Sequence, residues 1–318
     1  MKKITKNILI ISSCCIVGGA ILAGIGFVLG GSPGMVYANG KITSPSQKAK
    51  PYTLAKTKLD SFENAEFNIR DCSDIQIEPS NDDNFYLEYQ VDGHYSKPDY
   101  RVSGKTFTCT QGASNHRSFN VMMIGGFSDE IDSYMILYVP EKATLKSLKL
   151  YSDTGDVSID KLHAGETSFE GDCSDLSLSD STFQTLSLTS DTGDLSVKNV
   201  TASALSLNVD YGDIDIKNLS CDTAAATLDT CDLTLDATKL TDFQCKNSYG
   251  DIELRLPGDP SSYSYDIAVD YGEISLPNVP MTGTFQSDDD DDSNAFKSTG
   301  TGKGTIKIYN DSGDISVS

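Results

Sequence analysis

Apolar and polar positions alternate along the second half of the chain and repeat with a step of 19 residues. Each repeat contains a short turn that ends in an acid and continues as aliphatic-polar-aliphatic, as in Leu195-Ser196-Val197. Alternation with a period of two is typical of a strand that buries one face. The acid of this turn falls at six equally spaced positions: Asp156, Asp175, Asp194, Asp213, Asp232 and Asp251.

A second strand recurs at a constant distance from the first, with buried positions such as Leu186 and Leu205. A constant step with strands at constant phase predicts that each unit is one coil of a β-solenoid, with coils about 4.8 Å apart. Equivalent residues then lie above one another and form a continuous apolar core. A β-sandwich does not require its strands to recur at a constant 19-residue interval, and one blade of a β-propeller requires a repeat about twice as long. We therefore predict an all-β, parallel β-helix-like solenoid over residues 151–318.

The remaining segments complete the predicted domain organisation. Residues 54–150 alternate without the strict phase and are predicted to form an N-terminal β cap on the first coil. Residues 39–53 are polar, contain two prolines and are typical of a linker. Residues 1–38 form a membrane anchor or signal segment. Less regular copies of the turn occur at Asp74, Glu273 and Asp314.

The N-terminus carries an apolar segment, residues 8–29, that has no charge and follows three lysines. As a helix it would extend about 33 Å, which predicts one N-terminal transmembrane helix. The lysines would remain inside, so we expect a single-pass protein of the bacterial cell membrane with an extracellular body. Two alternatives stay open: secretion after cleavage near Ala38, and a lipoprotein signal at Cys14.

The charge balance restricts the classes of partner and reaction. Lys and Arg total 25 against 46 Asp and Glu, a formal net charge of −21, so nucleic acid is not expected to bind. The chain has no Trp and three His, and no nucleophile elbow, phosphate loop or paired-His motif is present. We predict that the protein is not an enzyme. The less favoured alternative is a calcium-dependent, polysaccharide-active β-helix enzyme.

Two acids three residues apart precede the first strand of each repeat. If the coils stack, neighbouring carboxylates repel by roughly 1 kcal/mol per pair even in bulk water. Hydrogen bonds from backbone N–H groups would offset this repulsion, and bound calcium would offset it too. No other cofactor is predicted. The calcium candidates form an outer column and an inner column: Asp153, Asp172, Asp191, Asp210 and Asp156, Asp175, Asp194, Asp213.

Three tyrosines beside the turns, Tyr211, Tyr249 and Tyr271, are candidates for an exposed binding stripe. The alternative is that each ring stacks on a neighbouring turn.

The repeated turns at residues 152–157, 190–195, 210–214 and 311–315 resemble those of the "putative adhesin" family of bacterial envelope proteins, a β-strand-repeat domain of unknown function. The resemblance covers residues 54–318, with Ser174 and Cys231 departing at the glycine position. It implies a surface-exposed β-solenoid, often behind an N-terminal membrane helix, and it implies no catalytic residues.

Together these observations predict a non-enzymatic, membrane-anchored extracellular β-solenoid that acts as a cell-surface adhesion or binding module. Its ligand would be a protein or a glycan, and residues 8–29 would contact the membrane. The alternative is a structural or regulatory component of the envelope stress response that meets a membrane partner.

Overall fold

The computed structural model describes residues 3–28, 35–38, 41–43, 50–71, 73–93, 95–112, 121–124, 131–279, 283–288, 293–302 and 304–318. These residues form one α-helix, α1 (Lys3–Val28), one 3₁₀ helix (Pro260–Ser262) and 27 strands. The first ten strands are β1 (Met35–Ala38), β2 (Lys41–Thr43), β3 (Tyr52–Lys58), β4 (Asn64–Ile69), β5 (Asp74–Ser80), β6 (Tyr86–Val91), β7 (Asp99–Ser103), β8 (Thr106–Gln111), β9 (Val121–Ile124) and β10 (Tyr134–Pro140).

The repeat region and the C-terminal part contribute the other strands. They are β11 (Leu145–Ser152), β12 (Val157–Asp160), β13 (His163–Cys173), β14 (Leu176–Ser179), β15 (Thr182–Thr192), β16 (Leu195–Lys198), β17 (Thr201–Tyr211), β18 (Ile214–Thr230), β19 (Leu233–Lys239), β20 (Asp242–Tyr249), β21 (Ile252–Arg255), β22 (Tyr263–Tyr271), β23 (Ile274–Ser275), β24 (Thr284–Asp288), β25 (Ser293–Ser298), β26 (Gly304–Ser312) and β27 (Ile315–Val317). Strands β2, β1 and β9 form a small sheet, and the other strands form one sheet of 24.

The described chain is all-β apart from its helices, as predicted, and the 19-residue step is the register of its strand pairs. Leu176 pairs with Leu195, and Leu195 pairs with Ile214, in parallel. All three side chains are buried, each with 1% exposed. The backbone N–H of Leu195 donates to the carbonyl of Asp213 in the next coil at 2.9 Å. Equivalent residues are therefore vertical neighbours around a shared apolar core.

Two parallel ladders carry this register. The short-strand ladder follows the acidic turns and runs in the order β10, β5, β12, β14, β16, β18, β19, β21, β27, β23. The long-strand ladder leads into the turns and runs in the order β8, β4, β11, β13, β15, β17, β18, β20, β26, β22. Strand β18 spans the bend between them and belongs to both. One face of each ladder therefore lines the core and the other faces outward.

Both ends of the stack depart from chain order. At the C-terminal end, β26 and β27 insert between β20–β21 on one side and β22–β23 on the other. At the other end, β4 and β5 lie between β11–β12 and the pair β8 and β10. Antiparallel strands then cover outer edges: β25 on β22, β7 on β8 and β6 on β10. Covered edges do not offer unpaired backbone groups to other chains.

The predicted membrane helix requires correction. Helix α1 covers most of residues 8–29. In the described part of the chain, no helix combines the length and the apolar character that crossing a bilayer requires. The prediction of a single-pass location in the membrane is therefore wrong.

The burial pattern predicts opposite outcomes for adjacent substitutions. Leu195→Asp buries an unpaired charge between Leu176 and Ile214 and should cost more than about 4 kcal/mol of unfolding free energy. Ser196→Asp changes an exposed side chain on the outer face and should cost less than about 1 kcal/mol. Urea unfolding of the two variants measures both values. Equal losses would contradict the assignment of the faces.

Candidate binding ridge

Each coil turns over a short segment that begins at the outer-column position, an acid at most levels and Ser248 at one, and ends with the inner-column acid. These segments stack to form a ridge along the molecule, which we call the turn ridge. Five successive levels of the ridge have the sequences DYGD, DTCD, SYGD, DSGD and DYGE, at residues 210–213, 229–232, 248–251, 311–314 and 270–273. No lysine or arginine occurs in these five segments.

The inner acidic column forms a ladder of hydrogen bonds between coils. Asp175 Oδ1 accepts from the backbone N–H of Asp194, and Asp194 Oδ1 accepts from the N–H of Asp213, both at 2.8 Å. The same bond joins Asp232 to Asp251, Asp251 to Asp314, and Asp314 to Glu273. Each of these carboxylates thus binds the turn of the neighbouring coil. This geometry offsets the repulsion between stacked acids.

Close stacking of the turns explains the glycine that precedes many of the inner acids. Gly212 has φ of +144°, a conformation that side chains disfavour, and a Cβ there would lie 2.2 Å from the carbonyl oxygen of Gly193. The backbone of one coil therefore touches the backbone of the next at the ridge. A Cβ at Gly212 would therefore force these two turns apart.

The outer acidic column is unequal along the ridge. The hydroxyl of Tyr151 donates to Asp172 Oδ2 at 2.8 Å, and the guanidinium of Arg70 lies 4.7 Å from the centre of the Tyr151 ring. Burial raises the pKa of Asp153 above its usual value, and the neighbouring charge of Asp172 adds to this effect, while Arg70 opposes it. Asp191 and Asp210 are exposed.

The eight predicted calcium ligands lie on the turn ridge in their two columns. A shallow depression of about 270 Å³ runs beside the inner column and is lined by Asp156, Asp175 and Asp194 with serines of the adjacent strands. Within the described residues, no three acidic, His or Cys groups converge closely enough to hold a metal ion. Each inner carboxylate in the ladder also commits one oxygen to a backbone N–H. Calcium binding stays a prediction.

The structure brings the three predicted tyrosines into one column. Tyr211 pairs with Thr230, Thr230 pairs with Tyr249, and Tyr249 pairs with Ser312, which pairs in turn with Tyr271. Their side chains are 52, 58 and 61% exposed. A hydroxyl residue therefore separates successive tyrosines, whose backbones are two coils, or about 9.6 Å, apart. This spacing exceeds the roughly 4.5–7 Å between stacked aromatic rings. We call Tyr211, Tyr249 and Tyr271 the tyrosine comb.

Asparagine side chains that sequence reasoning missed, two of them buried, support the turns of the comb. Asn247 donates through Nδ2 to the carbonyls of Cys231 and Tyr249 at 3.0 and 3.1 Å. Asn310 donates to Gly250 O at 2.8 Å, and Asn294 donates to Gly272 O at 2.8 Å. Asn247 and Asn310 are 3% and 0% exposed. Asn247 and Asn310 occupy a buried strand position in the same column as Ser152 and Ser190. A polar residue at a position that should be apolar is the sequence signal that could have identified these two asparagines.

The core thiols are poor candidates for nucleophiles. Cys221 and Cys245 are buried in the core, as their columns predict. Burial raises the pKa of Cys245, and that of Cys109, to about 12, so both are protonated at neutral pH.

The parallel coils, the acidic turn ridge and the covered edges define an all-β repeat protein with one long sheet. The family model described as Toastrack DUF4097 matches residues 64–318, and the chain belongs to this family. No curated protein matches the chain.

The chain is similar to several solved structures at low sequence identity. A putative adhesin from Parabacteroides distasonis is 12% identical, with a TM-score of 0.50, over 85% of this chain and 98% of that one. A putative adhesin from Bacteroides fragilis is 16% identical, with a TM-score of 0.46, over 86% of this chain and 99% of that one. A third, from Parabacteroides merdae, is 12% identical, with a TM-score of 0.45, over 89% and 98%. None of these names denotes an enzyme.

The inner-column hydrogen bond predicts a difference between two substitutions at Asp194. Asp194→Asn keeps an acceptor for the N–H of Asp213, whereas Asp194→Ala removes it. Both remove the same charge from the column. We expect the Asn variant to be more stable by about 1 kcal/mol in urea unfolding. Identical midpoints would show that this hydrogen bond contributes nothing to stability.

The raised pKa of Asp153 predicts a pH-dependent effect on stability. Folding disfavours the charged form, so ionised Asp153 lowers stability at neutral pH, and stability is regained as pH falls through the raised pKa. Asp153→Asn should therefore raise Tm at pH 7, and its advantage should shrink toward pH 4. Thermal unfolding across this range measures the difference from the native chain. Asp191→Asn controls for losing one charge from the same column, and a gain independent of pH would contradict this cause.

Proposed function

We propose that this protein is a non-enzymatic binding module, a β-solenoid that holds its ligand along the turn ridge. The observation that carries the proposal is the tyrosine comb, three large rings exposed at regular intervals on one line. Exposed aromatic side chains contribute large contact areas at low entropic cost, and they recur at the centre of recognition surfaces.

The rigidity of the turns supports this proposal. Each level of the ridge is held to the next by backbone hydrogen bonds, such as that from Gly250 N–H to Ser312 O at 3.0 Å. The inner carboxylates and the buried amides of Asn247 and Asn310 add further bonds to the same turns. A surface ordered before binding loses little conformational entropy when the ligand arrives. The comb is therefore a preorganised surface rather than a mobile loop.

The charge of the ridge and the names of its structural relatives support a binding role over catalysis. Acids flank the comb, and the five turn segments contain no lysine or arginine that could bind a phosphate. The relatives are named putative adhesins, which is the kind of role that an extended, rigid and exposed face serves. The comb would contact the ligand, and the acidic columns would exclude acidic surfaces.

The binding role predicts that the comb is required for attachment to a surface. The full chain, fluorescently labelled, is incubated at physiological salt, which screens long-range repulsion, with intact bacterial cells and with plates coated with desialylated mucin. Replacing all three tyrosines (Tyr211→Ala, Tyr249→Ala and Tyr271→Ala) should reduce bound protein by about tenfold or more, because large aromatic anchors dominate binding.

Phe285→Ala is the matched control, since Phe285 is 46% exposed but lies outside the comb. It should bind as the native chain does. Thermal unfolding verifies that each variant is folded. Equal binding by the folded triple variant, or no binding of the native chain to either surface, would overturn the proposed function.

A further inference from the structure

The spacing of the tyrosine comb carries information about the shape of the ligand. Parallel pairing places equivalent residues of adjacent coils about 4.8 Å apart, so the tyrosines recur every 9.6 Å or so. The levels between them carry Thr230 and Ser312, whose small side chains leave room between the rings. A ligand that contacts all three rings must present the same flat apolar face at this interval.

An extended peptide does not meet this requirement. Its side chains on one face recur every 6.6–6.8 Å or so, twice the rise of a strand residue, and fall out of step with the comb at once. Acidic polymers are repelled, because exposed Asp210, Asp213 and Asp251 flank the comb without a neighbouring cation in the turn segments.

A β-1,4-linked polysaccharide does meet it. Successive sugars in such a chain are turned over relative to one another, so the same ring face recurs at every second sugar. The length of that disaccharide is close to two coils of this fold. Sugar rings have an apolar face that packs on an aromatic ring, and their hydroxyls donate to carboxylates, which flank the comb on both sides.

We infer that the tyrosine comb binds an extended, uncharged β-1,4-linked glycan that lies along the axis of the stack, with alternate sugars on Tyr211, Tyr249 and Tyr271. This inference rests on the proposed function and names the ligand class for the same surface. Five consecutive sugars span the comb, and the sugars between the rings lie over Thr230 and Ser312. The carboxylates of the ridge accept hydrogen bonds from the sugar hydroxyls.

The test is a titration of the full chain with cello-oligosaccharides and chito-oligosaccharides of two to six sugars, followed by calorimetry. Affinity should rise by about tenfold or more from two sugars to six, because the longer chains engage successive rings together. Maltohexaose, whose α-1,4 linkages make the chain curl, should bind at least about tenfold more weakly than the β-linked hexasaccharides. Titration with an oligolysine peptide measures how much binding the acidic residues of the ridge produce by charge alone.

A paired exchange separates spacing from aromatic content. Thr230→Tyr combined with Tyr249→Thr keeps three tyrosines in the same column and breaks their even interval. Both positions are exposed, so the fold should persist, which thermal unfolding verifies. We expect this variant to lose most of the gain with chain length. The separate exchange of Thr230→Ser, which leaves the comb intact, should bind the hexasaccharides as the native chain does.

Several results would overturn the inference. They are equal or tighter binding of maltohexaose or oligolysine, unchanged affinity after the paired exchange, and no binding of any β-1,4-linked hexasaccharide. If the β-linked sugars fail while attachment to cells or mucin still depends on the three tyrosines, the glycan class is wrong and the binding function stands. If attachment to cells and mucin is also independent of the comb, both are wrong.

Discussion

Parallel pairing between coils, in a 19-residue register, is the constraint on which the rest of this structure depends. It places Leu176, Leu195 and Ile214 one above another and gives a core that no single coil encloses. The same pairing places the turns at van der Waals contact, which requires glycine at Gly212. Every outward column is therefore an ordered row with a spacing near 4.8 Å. Core, ridge and comb are consequences of one repeated backbone contact.

Stacking also concentrates like charges, and the turn ridge offsets their repulsion by giving most inner carboxylates a backbone donor. The inner carboxylates accept backbone N–H groups from the next coil, so residues that would repel each other become links between coils. Asp153 is the contrasting case, because it lies beside Asp172 in a more buried position and is more easily protonated. An acidic surface held in this way can accept hydrogen bonds from a ligand without rearranging.

Sequence periodicity predicted the buried columns, the positions of the acidic columns and the exposure of the three tyrosines, because all three depend only on position within a repeat. The binding role of the tyrosines stays a prediction. It did not predict that β26 and β27 insert between β21 and β22, since every coil has the same pattern of faces and any two can pair. This insertion places Ser312 between Tyr249 and Tyr271 and makes the comb evenly spaced. The membrane helix was wrong for another reason: a charge-free segment behind three lysines was long enough to predict a span, but no helix in the described part of the chain has both the length and the apolar character that a span requires.

The sequence by itself determined which residues of each coil face inward, which face outward and which form the turn. These properties follow from alternation and from the chemistry of glycine and aspartate, which act locally. Tertiary structure decided which coil is adjacent to which, where the edges are covered, and that buried Asn247 and Asn310 bind the carbonyls of the ridge. Those choices depend on contacts between segments far apart in the chain, which a repeating local pattern does not distinguish.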